Sequence, residues 1–232
     1  STAQLSALVD ATLDNLTTTQ VAGLSSTQVG SLSTTQLDNL STANLRAIDA
    51  GDFSTGQLSN LAVATLDNLT TTQVTGLNTA QSQSLSTTQL NALSVTNLNA
   101  LDVAEISTTQ IGGLDTTTIT ELSTTQVAAL SAAQVGALSV AGVNSLTTTE
   151  LGALTAAQAG ALTSAQVAGL STTNFSALSS TTGIPALSTT AIGGISTADI
   201  AALTTTQGWA FTATQVNAMS GAQLSALVEL LT

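Results

Sequence analysis

The chain of 232 residues contains no Lys, His, Cys or Tyr, and Arg46 is its only strong cation. It has one Pro, one Met, one Trp and three Phe, and only 6% of its residues are charged, where about a quarter is usual. Each absence excludes chemistry. Without His or Cys there is no ordinary zinc, haem or iron–sulfur site. Ser-His-Asp, Cys-His and Schiff-base lysine machinery are equally excluded. A net charge of -12 rules out phosphate-backbone binding to nucleic acid and electrostatic docking on anionic lipid. No apolar run approaches the roughly 18 residues of a membrane span.

What remains is Ser, Thr, Ala, Leu, Gly and Gln in a strict pattern. From Ser123 the chain reads STTQVAAL, SAAQVGAL, SVAGVNSL, TTTELGAL without a break. It parses throughout as octads, interrupted by pentads at 49–53, 102–106 and 228–232 and by a nine-residue unit, Ser179–Leu187, that holds Pro185. Positions one to eight follow [S/T]-T-[T/A]-Q-[V/L/I]-x-[A/G/N/S]-L. Position five departs from the rule at Ser82, Ala159 and Gly208. Position seven is small almost everywhere, which predicts that another backbone passes close to it. A 53-residue period lies on top, from Val9 to Ala62, because six octads and a pentad repeat together. We therefore expect a single repeat solenoid over 1–232. Its parts would be 53-residue blocks over 1–106, uniform octads over 107–178, and variant octads with a C-terminal cap over 179–232.

The spacing favours helix. Position one is an N-cap residue, position four a Gln that reaches back to the N-cap N–H, and positions eight and five bracket them as a hydrophobic staple. Leu16-Thr17-Thr18-Thr19-Gln20-Val21 shows the whole device, and we expect it more than twenty times. One continuous helix fails, because eight residues at about 100° each leave a drift of about 80° per octad. Re-capping every octad resolves the drift. The predicted fold is all-α, a solenoid of short helices of about two turns each; the alternative is a parallel β-solenoid, which Thr and Val would favour.

Few residues suggest a site. Asp49/Asp52 and Asp102/Glu105 share the pattern D-x-x-[D/E]-Φ within matching pentads and are the weak candidates for calcium, the only cofactor to weigh. The competing reading is an octad shortened by three residues, with Asp as N-cap and the second acid favoured by the helix dipole. Trp209 and Phe211 follow Gly208. Either the indole fills the space that Gly208 leaves, or the aromatics form an assembly contact or terminal cap with Leu224, Leu227, Leu230 and Leu231, since solenoids must shield their ends. N-x-[S/T] triplets at Asn15, Asn39, Asn68 and Asn174 arise from the repeat itself. Thr pairs at positions two and three, such as Thr124-Thr125, would form a hydroxyl–methyl array of the kind that binds ice if they lined one face.

The octad STTQVAAL resembles the tandem Leu-[S/T]-x-x-Gln-Val-x-Ala-Leu repeats of large bacterial surface and secreted proteins of the adhesin or fibre kind. That resemblance covers essentially the whole chain and implies extracellular localisation and a structural or adhesive role. The start in register at Ser1 fits a processed protein or a segment of a longer array. Enzymatic activity is not expected. The expected role is a non-catalytic fibre or layer subunit or an adhesin stalk, whose partner is further copies of itself through head-to-tail association. The alternative is a binding module that recognises ice, glycan or protein.

Overall fold

A computed structural model describes residues 1–232 except the side chains of Asp10 and Ala11. The described chain holds 26 α-helices, three 3-10 helices and no strand, so the β-solenoid alternative is overturned. Twenty-five α-helices are four to six residues long and the last, Gly221–Leu231, has eleven. The expected two turns per octad was too long. Position eight is extended, as at Leu61 (ψ 142°), Leu122 (ψ 136°) and Leu170 (ψ 140°), and position one is the extended N-cap. About one turn and a half is left for helix.

The N-terminal signal forms as expected but less often. Among the described residues the reciprocal capping box closes at 18 helices, fewer than the twenty and more expected. In Thr163–Leu170, Gln166 N–H donates to Thr163 Oγ1 at 3.1 Å and Thr163 N–H donates to Gln166 Oε1 at 2.8 Å. Boxes are missing where position four is Asn, Thr, Gly or Ala, as at Asn44, Asn97, Thr118, Gly142 and Ala191. Gly142 and Ala191 have no oxygen to offer, while Asn44 and Asn97 turn their amides to carbonyls upstream. Asp199 shows that a side chain of that length can close the box, with Ser196 N–H donating to its Oδ2 at 3.0 Å.

The chain forms two compact units, Ser1–Ile106 and Ser107–Thr232, and the division falls at the end of the second pentad. Within each unit, helices three octads apart pack together: Thr18–Ala22 with Thr42–Ala47 in the first, Val140–Ser145 with Ser164–Gly169 in the second. A four- to six-residue helix has no stability of its own, so positions five and eight must supply it by burial. They do. Leu37, Leu58 and Leu90 in the first unit, and Val135, Val143, Leu151 and Val167 in the second, are almost wholly enclosed. Each core is a stack of Leu, Val and Ile rather than a layer sandwich.

Small residues permit the close stacking. A Cβ on Gly194, at position seven, would overlap the Ser164 carbonyl oxygen, which is the backbone approach the small residue predicts. The tightest recurring contact, however, belongs to position six. A Cβ on Gly112 would lie 2.8 Å from Ala137 O, and one on Gly136 3.0 Å from Ala161 O. Larger position-six residues bond to that carbonyl instead: Thr75 Oγ1 donates to Ala100 O at 3.1 Å, and Arg46 Nε donates to Asn68 O at 2.7 Å.

Candidate functional site: the glutamine clasp between layers

The conspicuous polar chemistry of this molecule lies inside it. A helix leaves its last four carbonyls without intrahelical donors, and here a helix is little longer than that. The position-four Gln answers the problem from another layer. Its Oε1 serves its own N-cap, and its Nε2 donates to two carbonyls, at positions five and eight of the octad four units earlier. Gln166 Nε2 reaches Val135 O at 3.0 Å and Leu138 O at 2.8 Å, 31 and 28 residues upstream. Gln89 does the same to Leu58 O and Leu61 O, both at 2.9 Å. Gln36, Gln57, Gln73 and Gln81 act so in the first unit. Gln158, Gln215 and Gln223 do so in the second, while Gln207 meets Ser176 O and Leu178 O. Since an amide has two N–H donors and one oxygen, each of these side chains is fully used while buried.

The pentads keep this register. Gln81 Nε2 donates to Ala50 O and Phe53 O, both at 2.8 Å, so Ala50 stands where position five would and Phe53 where position eight would. Both are buried. A pentad is thus position one joined directly to positions five to eight. Accordingly, Gln57 and Gln73, whose layers span the first pentad, bond 28 and 25 residues back instead of 31 and 28. The nine-residue unit adapts differently: Ser179 Oγ accepts from Thr181 and Thr182 N–H, and Thr182 Oγ1 donates to Leu154 O at 3.0 Å in place of a glutamine.

Where position four is Asn, a second residue completes the device. Asn44 Nδ2 donates to Asp14 O and Leu16 O at 3.0 Å, and the Ser41 N–H it leaves unserved donates to Asp14 Oδ1 at 2.7 Å. Asp67 receives Ser94 N–H at 2.8 Å, and Asn144 receives Ser171 N–H at 2.8 Å, in the same register. Asp38 accepts from Ala62 N–H at 3.1 Å and Thr65 Oγ1 at 2.6 Å. An Asp or Asn at position six paired with a short residue at position four about 30 residues later is the signal that the sequence reading missed. The Ser41 N–H and hydroxyl hold the Asp14 carboxyl below the usual carboxylate range, against a smaller opposing effect of burial.

The pentad acids serve as caps to one-turn 3-10 helices, Ala50–Asp52 and Val103–Glu105. Asp49 Oδ1 accepts from Gly51 N–H at 2.9 Å, and Asp102 Oδ1 from Ala104 N–H at 3.0 Å. Burial and then the Asp49 charge push the Asp52 carboxyl up. Glu105 Oε2 is buried with no hydrogen-bond partner among the described residues. Among those residues no three acids come together, whereas calcium takes six to eight oxygens. Asp115 is held below the usual range by the Thr118 N–H that it caps.

The aromatic pair separates. Trp209 is 73% exposed, so the indole does not fill the space at Gly208. Leucines of the last helix do: a Cβ on Gly208 would lie 2.9 Å from both Leu230 and Leu231 Cδ2 and 3.5 Å from Leu227 Cδ1. Leu227 and Phe211 are buried, while Leu224, Leu230 and Leu231 are half-buried. The Thr pairs are exposed in both units, for example Thr71-Thr72 and Thr124-Thr125. A small, partly open hollow of about 40 Å³ beside Thr124, Ala128, Glu150 and Gln158 has room for water and not for a ligand of any size.

The described chain is a tandem-repeat protein, an all-α solenoid of capped octads. The model of the ALTTAQ repeat family matches residues 103–140. No curated protein and no solved structure matches the chain. Among the described residues no helix is long and apolar enough to cross a membrane.

Proposed function

We propose that the chain is a non-catalytic structural element of the cell exterior, a stalk or a fibre or layer subunit of the kind its octads resemble. The observation that carries this reading is the use of the polar side chains. Gln166, Gln89 and their counterparts are buried and spend their hydrogen bonds on the layers around them. The acids are spread among helix caps, such as Asp49, Asp115 and Asp199. A repeating clasp of this sort makes stability a property of the array.

The clasp is also heterologous: an amide donor on one side of a layer meets carbonyls on the other. Contacts of that type extend without closing unless the rotation forms a ring, so further octads on the same or another chain can continue the stack. Net charge of -12 opposes association between copies at low salt. Negative-stain electron microscopy over a concentration series at raised ionic strength is the test. Filaments would support a self-assembling subunit, separate particles a stalk segment, and irregular aggregates would count against both.

The exposed Thr pairs favour a second reading, recognition of ice or glycan through a hydroxyl-rich surface. Absence of ice-recrystallisation inhibition and of glycan-array binding would remove it.

A further inference from the structure

The position-six acceptors differ between the two units in one respect. Among the described bonds within Ser1–Ile106, three such acceptors are carboxylates: Asp14 to Ser41 and Asn44, Asp38 to Ala62 and Thr65, Asp67 to Ser94. Within Ser107–Thr232 the same place is taken by the amide of Asn144, which receives Ser171 N–H at 2.8 Å and Asn174 Nδ2 at 3.1 Å. Asn144 therefore demonstrates that a neutral acceptor of the same shape fits this geometry. We propose that Asp14 forms an acid-sensitive clasp between layers, so that lowering pH loosens the first unit at this joint while the Asn144 joint of the second unit holds.

The chemistry follows from the acceptor. A carboxylate receiving a backbone N–H makes a charge-assisted bond roughly twice as strong as a neutral one, and protonation removes that advantage. At Asp14 one oxygen takes both Ser41 N–H at 2.7 Å and Asn44 Nδ2 at 3.1 Å. The charged groups on the elements packed around these joints are few. Helix Thr42–Ala47 carries Arg46, whose Nε–H is donated to Asn68 O. Helix Thr34–Asp38 carries Asp38 itself, and helix Val63–Asn68 carries Asp67. Asp10 lies on the helix before Asp14, and its side chain is outside the described residues. Helix Val95–Leu98 carries no charge. In the second unit Glu150 and Asp199 act within their own octads, on Thr147 and Ser196 N–H, and join no layers through those bonds.

The sign is that of a carboxyl whose charged form is favoured by folding. Its contribution is present above the ordinary Asp range, about pH 3.9, and is lost as pH falls through the lower folded-state value. Amide hydrogen exchange of the full chain tests this by nuclear magnetic resonance, corrected for the intrinsic pH dependence of exchange. Between about pH 6 and about pH 2.5 the protection of Ser41 should fall roughly tenfold more than that of Ser171, since a charge-assisted bond is lost at one joint and not at the other. The variant D14N should abolish the difference. Should that variant fold poorly, the reciprocal N144D places a carboxylate in the second unit and should make Ser171 acid-sensitive by a similar factor. Equal losses at both amides, or an N144D protein whose Ser171 protection ignores pH, would overturn the proposal.

Discussion

Gln166 Nε2 donates to the Leu138 carbonyl at 2.8 Å across 28 residues of chain. The same amide caps its own helix through Oε1. One side chain therefore ends a helix below and begins the helix that carries it, which explains why position four prefers Gln over Glu. A carboxylate reproduces the cap and has no N–H for the carbonyls.

Gln166→Glu should retain the capping box and orphan the carbonyls of Val135 and Leu138. The expected loss is on the order of 2–6 kcal/mol, at about 1–3 kcal/mol for each of the two buried groups left unpaired. Urea unfolding monitored by circular dichroism reads it directly. A loss below about 0.5 kcal/mol would mean that the carbonyls find other partners and that the clasp is dispensable.

Glu150 is the natural converse. It is buried, and Oε2 serves Thr147 as a Gln would. By the register of Gln158 and Gln166, a Gln at this position would serve the carbonyls of Ile119 and Leu122, 31 and 28 residues upstream. Glu150→Gln should stabilise the second unit by about 1 kcal/mol, the net value of a typical hydrogen bond. Unchanged or lower stability in the same urea assay would place Glu150 outside the common scheme.

Gly169 and Val140 are complementary. A Cβ on Gly169 would overlap Val140 Cγ1, so Gly169→Ala should cost about 1–3 kcal/mol by overpacking. Val140 is 40% exposed, and adding Val140→Ala should restore most of the loss. A double-mutant cycle measures that coupling; strict additivity would show that the two residues are independent.

Gly208→Leu restores the consensus at position five and should nevertheless do harm. Its side chain would meet Leu230 and Leu231, which already fill the place. The last turn of Gly221–Leu231 should be displaced, and its exchange protection should fall while that of Leu151 and Val167 is unchanged. Undiminished protection at Leu230 would show that the leucines do not need the space.

Asp52 supplies a test of opposite sign to Asp14. Its carboxyl is pushed up by burial and by Asp49, so the charged form is the disfavoured one in the fold. Its contribution is present below the unfolded carboxylate range and lost as pH rises through the folded value. Asp52→Asn should therefore stabilise the protein at neutral pH, and the gain should vanish at about pH 3, below the ordinary carboxylate value. A gain independent of pH would assign the effect to packing instead.

The octad pattern by itself determined the helical class, the cap at position one, the Gln bond at position four and the core at positions five and eight, because all of these are local. Hydroxyl, amide and N–H lie three residues apart, and their geometry hardly depends on what surrounds the helix. The sequence also marked the pentads as shortened octads, which the burial of Ala50 and Phe53 bears out. It overestimated helix length because the extended conformation of position eight comes from the turn into the next layer. Of its two readings at Gly208, the one that seats the Trp209 indole there fails, and leucines some twenty residues later take the space. The second half of the glutamine amide, the pairing of Asp14 with Ser41, and the fit of Val140 to Gly169 were decided only by the tertiary structure. These contacts join residues 25 to 31 apart. That separation is set by how far the chain winds per octad. No single octad encodes that winding, which emerges when neighbouring layers must bury their leucines and satisfy their carbonyls together.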